Sequence, residues 1–221
     1  MFDPIYPIDY TIGRSMQRPY NETTGHLVIG GKSMSEILPF ESDRLLLRAW
    51  RDEDLPAFAA LNADPQVMRY FPAPLTAEQS YAQADKIRQF MQQNGWGLWA
   101  VEEKDGAPFI GFVGLAIPAD DLPCSPCVEI GWRLAAAHWG KGYASEAAGA
   151  ALRYAFERLD LADVVSFTAE SNKPSSRVME RIGMMSHGES FLHPRLPQGH
   201  PLQKHVLYRL TQQNWREKRH G

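Results

Sequence analysis

One segment of the chain reads Val128-Glu129-Ile130-Gly131-Trp132-Arg133-Leu134, then Ala135-Ala136-Ala137-His138, then Trp139-Gly140-Lys141-Gly142-Tyr143-Ala144. Its first part is typical of a β-strand, and its last part combines glycines with the start of a helix. Glycine lets a backbone approach a ligand closely, and the unpaired N–H groups at a helix start favour an anionic phosphate. Glycine there can equally permit tight packing on a sheet, so the residues alone leave both interpretations open.

Two common phosphate-binding patterns do not match this segment. Ser145 stands where the Gly-x-Gly-x-x-Gly fingerprint of dinucleotide-binding folds has its third glycine, and the spacing of a Walker motif is absent. The sequence therefore predicts neither of those folds.

The chain around this segment alternates strand-like and helix-like patterns from Leu45 onward, which indicates an α/β or α+β domain. Strands are expected at 45–50, 97–103, 109–117, 128–134 and 164–169, and on both sides of the loop 193–201. Helices are expected after Asp52 as N-cap, from Thr76 to about Gln93, from Gly142 to Leu159, and over Pro174–Ile182. Asp105-Gly106 predicts an antiparallel hairpin between the second and third strands.

The composition limits the possible functions. With 221 residues and 44% hydrophobic content, the chain is long enough for one good-sized core. A net charge of −3 gives no surplus of basic residues, so nucleic acid is not an expected partner. Apolar runs are far shorter than the roughly 18 residues of a membrane span, and no secretory signal is visible. We therefore expect a soluble, cytoplasmic protein without a membrane partner.

Residues 1–33 differ from the rest, being rich in Tyr, Pro, Gly and Thr without a sustained period. We interpret them as an N-terminal extension, and 34–221 as a single domain that opens at Met34. Three origins stay open for the extension: a segment added to the natural chain or an alternative start, a disordered segment, or one that packs against a partner subunit.

Two motifs together resemble the GNAT superfamily of N-acetyltransferases, and the resemblance extends from Arg44 to about Trp215. The acetyl-CoA signature of that family, Gln/Arg-x-x-Gly-x-Gly/Ala, falls on 139–144, with Trp139 at the Gln/Arg position. Residues 172–184 resemble the family's Asn-x-x-Ser/Ala stretch, which ends in Gly and a large apolar residue. The chain looks closest to the Rim-type branch, which acetylates the N-termini of ribosomal proteins.

The resemblance implies a mixed, mostly antiparallel, splayed sheet of about seven strands flanked by about four helices. It implies acetyl-CoA as co-substrate and no metal. The backbone of Trp132, Arg133 and Leu134 would pair with the pantetheine arm. The expected coenzyme contacts are Trp139, Gly140, Lys141, Gly142, Tyr143 and Ala144 at the pyrophosphate, with Asn172 and Ser175 nearby. On sequence physics alone, a loop or capping residue before Pro174 is the favoured interpretation of Asn172, and the resemblance favours a coenzyme contact.

The reaction needs an unprotonated amine, so a base assists at neutral pH. Glu129 is the candidate base, and alternation places Gly131 and Arg133 on its side of the strand. An exposed Glu or one paired with Arg is the alternative reading. His138 is a weaker candidate for the base.

The leaving thiolate needs a proton, and many GNAT enzymes supply it from a tyrosine. Met179 occupies the matching position here. Ser175, one turn earlier, is the expected replacement, although serine in a first helical turn is often only a cap. The hydroxyl of Tyr208 is another candidate for this proton donor.

The acceptor is expected to be a primary amine, on a protein N-terminus or a small molecule. Its pocket would come from Tyr70 and Phe71 in the segment 68–74, from Trp96 and Trp99, and from the loop 193–201, although these aromatic residues could equally pack the core. The terminal strands could offer an edge for a homodimer.

Two readings from other functional classes remain. A non-catalytic acyl-CoA-binding module would keep the phosphate cradle, with Met179 marking a lost acid. A redox or metal protein would depend on the two cysteines, Cys124 and Cys127. Because no second Cys or His pair has zinc-like spacing and prolines mark a loop, we interpret them as ordinary thiols in a turn.

Overall fold

A single eight-stranded sheet forms the centre of the protein in a computed structural model, which describes residues 37–118 and 121–220, the last two by backbone only. The strands β1–β8 are Phe40–Glu41, Leu45–Arg48, Leu98–Glu103, Gly111–Ala116, Glu129–Leu134, Asp163–Ala169, Ser190–Leu192 and Lys204–Thr211. The helices α1–α5 are Leu55–Ala63, Ala77–Asn94, Tyr143–Glu157, Lys173–Arg181 and Gln212–His220. The predicted extension, 1–33, lies outside the described residues.

The sheet is mixed but mostly antiparallel, which confirms the predicted architecture. The strand order is β1-β2-β3-β4-β5-β6-β8-β7, and the pairing of β5 with β6 is parallel whereas the other neighbours are antiparallel. The hairpin of β3 and β4 is confirmed. Of the two final strands, β8 lies inside the sheet and only β7 forms an edge, so the prediction of a homodimer through a terminal strand now concerns β7.

Two elements were not predicted. β1 has only two residues, Phe40 and Glu41, which is too short for a visible alternation. α5 begins at Gln212 directly after β8, and its sequence is strongly polar apart from Trp215, which packs on Phe156 of α3. A helix with one apolar anchor gives little periodic signal.

Helices α1 and α3 cover opposite faces of the sheet. Phe112 packs edge-on against Phe58 of α1, whereas Trp99, which is paired with the next residue of β4, Val113, packs against Tyr154 of α3. Successive side chains of a strand point to opposite faces. The face of Phe112, called the α1 face below, also carries Arg133, its register partner on β5.

The helix ends depend on local side chains. Thr76 and Gln79 form the predicted capping box of α2, which ends at Gly95 in the left-handed conformation. The expected N-cap at Asp52 is wrong, because residues 52–54 form a 3₁₀ turn before α1. There the carboxylate of Asp54 accepts the N–H of Arg51 at 2.7 Å. None of the helices in the described part of the chain is long and apolar enough to cross a membrane.

Candidate active site

A cleft opens where β5 and β6 separate. Their pairing is limited to Glu129 and Val165, flanked by two hydrogen bonds: Val165 N–H to the Val128 carbonyl at 2.9 Å, and Ser166 Oγ to the Ile130 carbonyl at 2.9 Å. Because backbone groups two residues apart point to the same strand edge, those of Trp132 face the gap. The cleft has a volume of about 640 Å³, in the range of small-molecule sites.

The glycine-rich loop at one wall of the cleft, residues 139–142, has a conformation that requires its glycines. Gly140 has φ 75° and Gly142 has φ 83°, which is the left-handed region. Gly142 is the N-cap of α3, and the first helical bond runs from Glu146 N–H to its carbonyl at 3.0 Å. The N–H groups of the intervening residues lack intrahelical partners and, with the helix dipole, favour an anion.

Trp139, at the signature's Gln/Arg position, makes a backbone contact. Its indole N–H donates to the Leu134 carbonyl at 2.8 Å, although 42% of the residue is exposed. This bond joins the loop to the end of β5. Lys141 is not among the cleft-lining residues, and its Nζ lies 5.7 Å from the centre of the Tyr143 ring.

The start of α4 forms a second wall. The side-chain oxygen of Asn172 caps the helix by accepting the Ser175 N–H at 3.3 Å, and its Nδ2 donates to Ser175 Oγ at 3.1 Å. Asn172 and Ser175 both line the cleft, so the capping role and a place at the site coexist. That bond uses Ser175 Oγ as an acceptor and leaves its proton available. Met179 is buried at the cleft, and Tyr208, bonded to Glu180 at 3.1 Å, is not among the lining residues.

Glu129 lies at the root of the cleft, on the α1 face. Among the residues that the structure describes, none forms an ion pair or hydrogen bond with its carboxylate, so the alternative of an Arg-paired Glu is not observed. Burial, and secondarily the negative charge of Cys124, raise the pKa of Glu129 to about 8. A carboxyl with that pKa can take up a proton near neutral pH.

His138 belongs to a network below the glycine-rich loop. Its Nδ1 lies 3.6 Å from Glu103 Oε2, and the other oxygen of Glu103 accepts the hydroxyl of Tyr143. The Tyr143 hydroxyl is the main reason why the pKa of Glu103 is lowered, with Lys141 and His138 adding to it. The hydrogen bond from Tyr143 to Glu103 thus connects the start of α3 to β3, and His138 lies beside it.

The wall of the cleft on the α1 face carries two of the residues that were predicted for the acceptor pocket. Tyr70 and Phe71, from the segment 68–74, both line the cleft, and Arg133 contacts this segment. Its Nη1 donates to Asn62 Oδ1 of α1 at 2.6 Å, and its guanidinium carbon lies 4.1 Å from the centre of the Phe71 ring. The expected backbone role of Arg133 gave no hint of this contact, which joins distant parts of the chain.

The structure corrects the assignment of Trp99 to the acceptor pocket. Its side chain is fully buried between Phe40 and Tyr154, under α3. The reason is the alternation of β3, which turns Trp99 to the face opposite α1, while its neighbour Leu98 lines the cleft. Trp96 packs against Phe90 instead.

Two buried histidines line the cleft: His193 opens the predicted loop 193–201, whereas sequence reasoning missed His205. Their ring centres lie 4.9 Å apart. Burial lowers the pKa of both, that of His193 to about 3, so both are neutral at pH 7. His205 Nδ1 lies 3.2 Å from the Gln203 carbonyl, which can only accept, so that nitrogen carries the proton. No sequence motif marks either residue.

A family model described as an acetyltransferase (GNAT) domain matches residues 44–185. This chain is a member of the GNAT family of acetyltransferases. It is therefore an acyltransferase, and GNAT members use acetyl-CoA, which the cleft, the glycine-rich loop and the α4 start can accommodate by size and polarity.

Relatives support this membership. The chain is 34% identical over 144 residues to YkkB, an uncharacterized protein of Bacillus subtilis, covering 65% of this chain and 83% of that one. It is 32% identical over 172 residues to the FsC-acetyl coenzyme A-N(2)-transacetylase of Aspergillus fumigatus, covering 70% and 68%.

Solved structures show the same GNAT fold. An acetyltransferase of the GNAT family from Bacillus anthracis superposes with a TM-score of 0.67 at 26% identity, covering 80% of this chain and 99% of that one. The spermidine N-acetyltransferase of Vibrio cholerae, in complex with CoA and spermine, superposes with a TM-score of 0.61, covering 78% and 98%. At 23% identity the latter shows the fold alone.

The two cysteines lie beside the GNAT site. Both are free thiols, and Cys127 is buried against Val165 and Leu207. A hydrogen bond from Cys127 lowers the pKa of Cys124 and raises that of Cys127. Over the described ranges, no group of three or more His, Cys, Asp or Glu side chains could hold a metal ion.

Replacing both cysteines by Ser is expected to leave kcat/KM within about twofold of wild type, because neither thiol is needed for transfer in our interpretation. The pH at which the rate rises should shift slightly downward, since the charge of Cys124 contributes to the raised pKa of Glu129. Steady-state rates with and without dithiothreitol check this. Loss of activity in the double variant would instead support a thiol-dependent function.

Proposed function

We propose that this enzyme transfers the acetyl group of acetyl-CoA to a primary amine by direct attack in a ternary complex. Glu129 is the base and Ser175 the acid. The acceptor is a protein N-terminus, such as that of a ribosomal protein, or a small amine; a ribosomal acceptor would place the enzyme in the cytoplasm. The position of Glu129 at the root of the cleft, where β5 and β6 part, carries this proposal.

The proposed coenzyme position follows the walls of the cleft. The pyrophosphate would lie at the N–H groups of 142–145, where the helix start and two left-handed glycines leave space. The pantetheine arm would pass along the open edge of β5 at Trp132. This arrangement directs the thioester toward the part of the cleft that Glu129 and Ser175 line.

In the proposed reaction, the amine nitrogen attacks the thioester carbonyl carbon and forms the N–C bond. A backbone N–H of β5 stabilises the oxyanion in a site with little water. Glu129 takes a proton from the amine, the C–S bond breaks, and Ser175 Oγ–H protonates the thiolate before regaining its proton from water. The products are the N-acetylated amine and CoA.

The proposal is tested by calorimetric titration with acetyl-CoA, followed by CoA thiol release against a panel of small amines and N-terminal peptides. We expect saturable binding and amine-dependent release. Initial rates at varied concentrations of both substrates should give intersecting double-reciprocal lines, as a ternary complex requires; parallel lines would indicate a covalent intermediate. Binding without release for every amine would favour the non-catalytic module.

A further inference from the structure

The glycine-rich loop has few neighbours that could fix its shape. Gly140, Lys141 and Gly142 are exposed. Among the described residues, a Cβ added at Gly140 would meet no atom within 4 Å, and one added at Gly142 would meet Arg44 Nη2, at 3.6 Å. Glycine loses more conformational freedom on ordering than other residues. A cradle of this composition therefore needs an anchor outside the loop.

Arg44 provides such an anchor from the residue before β2. Its Nη2 donates to the Lys141 carbonyl at 3.0 Å, inside the loop. Its Nε and Nη2 also contact Glu146 Oε2, at 2.7 and 2.6 Å, in the first turn of α3. One guanidinium thus bridges the loop and the helix that follows it.

The partners of this bridge are themselves fixed. Oε1 of Glu146 accepts Ser42 Oγ at 2.7 Å and the Arg44 backbone N–H at 2.8 Å. Partial burial acts in the opposite direction, but these hydrogen bonds lower the pKa of Glu146, so it is a carboxylate at neutral pH. The Arg44 carbonyl accepts Lys104 N–H at 3.0 Å, which ties it to the sheet.

The bridge also has an electrostatic consequence. A carboxylate in the first turn of α3 lies near the N–H groups that would receive the pyrophosphate, and like charges repel. Because Arg44 pairs with Glu146, that repulsion is reduced. The planar guanidinium has donors for a carbonyl and a carboxylate at once, which an ammonium group does not present in the same geometry.

We propose that Arg44 is a positioning residue for the coenzyme: by bridging the Lys141 carbonyl and Glu146, it holds the glycine-rich loop in the shape that receives the pyrophosphate. This inference rests on the proposed role of that loop. Arg44 itself contacts the protein rather than the reacting atoms.

The test compares Arg44→Ala with a matched control, Arg51→Ala. Both side chains are about half exposed, at 50% and 52%, and Arg51 pairs with Glu102 at 3.0 Å away from the loop. Calorimetry with CoA should show a Kd about tenfold higher for Arg44→Ala, because only a fraction of the protein then has a competent loop. The control should match wild type, and kcat at saturating substrates should change little in either variant.

Two further measurements separate positioning from other roles. S-acetylpantetheine lacks the pyrophosphate, so its kcat/KM should be the same for wild type and Arg44→Ala; an equal loss with both thioesters would overturn the proposal in favour of a general structural role. Arg44→Lys keeps the charge that offsets Glu146 but not the fork that also reaches the Lys141 carbonyl, and we expect its CoA affinity to lie between those of wild type and Arg44→Ala. Wild-type affinity in Arg44→Lys would overturn the proposal.

The outcomes also distinguish this inference from the proposed function. If the wild-type enzyme binds CoA and Arg44→Ala binds it equally well, the positioning role fails while the cradle stands. If wild type shows no CoA binding, both fail together.

Discussion

Replacement of Glu129 by Gln is expected to lower kcat by about 100-fold, the usual range for loss of a general base. Gln has the same size and can still hydrogen-bond, but it cannot take a proton from the attacking amine. Because the carboxyl has no ion pair to break among the described residues, the fold should be retained. The Kd for CoA should also stay unchanged, which separates chemistry from binding.

The difference in rate between wild type and Glu129→Gln should depend on pH in a defined direction. With a pKa of about 8, Glu129 is mostly protonated at pH 7 and becomes a base as the pH rises. The wild-type rate should therefore rise through about pH 8, and the variant should lack that rise. A base with an ordinary carboxyl pKa would instead give the largest loss at mildly acidic pH, where free amine is scarce; the burial of Glu129 reverses that direction.

The choice of acceptor amine decides whether the pH profile of the rate reports the enzyme or the substrate. An amine with a pKa below about 7 is already unprotonated, so the pH profile reports the enzyme's group rather than the substrate's. Glu170→Gln is the matched control, because the pairing of Glu170 within the described part of the chain is with Lys204 on the surface, at 2.7 Å. A wild-type profile in Glu129→Gln would remove Glu129 as the base.

Replacement of Gly142 by Val is expected to raise the Kd for CoA by about 30-fold, equivalent to about 2 kcal/mol of strain for a β-branched residue in the left-handed region. At φ 83°, the valine backbone would move toward an allowed conformation and turn N–H groups away from the phosphate position. Calorimetric titration with CoA measures the effect.

Gly188→Val is a matched control for this variant. Gly188 has φ 77°, and an added Cβ there would meet no atom of the described residues within 4 Å, so the backbone strain is similar. It is not among the cleft-lining residues. We expect both variants to lose similar thermal stability and only Gly142→Val to lose CoA affinity. An unchanged CoA affinity in Gly142→Val would disprove the phosphate assignment.

Features set by local sequence could be predicted. α3 follows its period of three and four, because its small residues pack directly on the sheet. The capping box of Thr76 and Gln79 needs only neighbouring residues and was confirmed. The two motifs that line the candidate site could be recognised for the same reason, since each is a contiguous run whose backbone geometry depends on its own glycines, prolines and caps.

Features set by tertiary contacts could not be predicted from the sequence. Trp99 was assigned to the wrong face, because its aromatic character fits a pocket and a core equally well, and only the pairing of β3 decides between them. The contact of Arg44 with Glu146 joins residues 102 positions apart. The raised pKa of Glu129 results mainly from burial, which depends on the tertiary packing around β5 and not on any local pattern.

The parting of β5 and β6 places an open sheet edge in the interior of the molecule instead of at its rim. A rim edge such as β7 can pair with a strand of another chain, which is a risk of aggregation. At Trp132, however, an incoming chain would have to enter between two strands of one sheet. A slender, extended ligand arm can do this, and the edge of another protein's sheet cannot. In the proposed function these unpaired backbone groups bind the coenzyme arm, and their interior position keeps them from serving as a template for polymerisation.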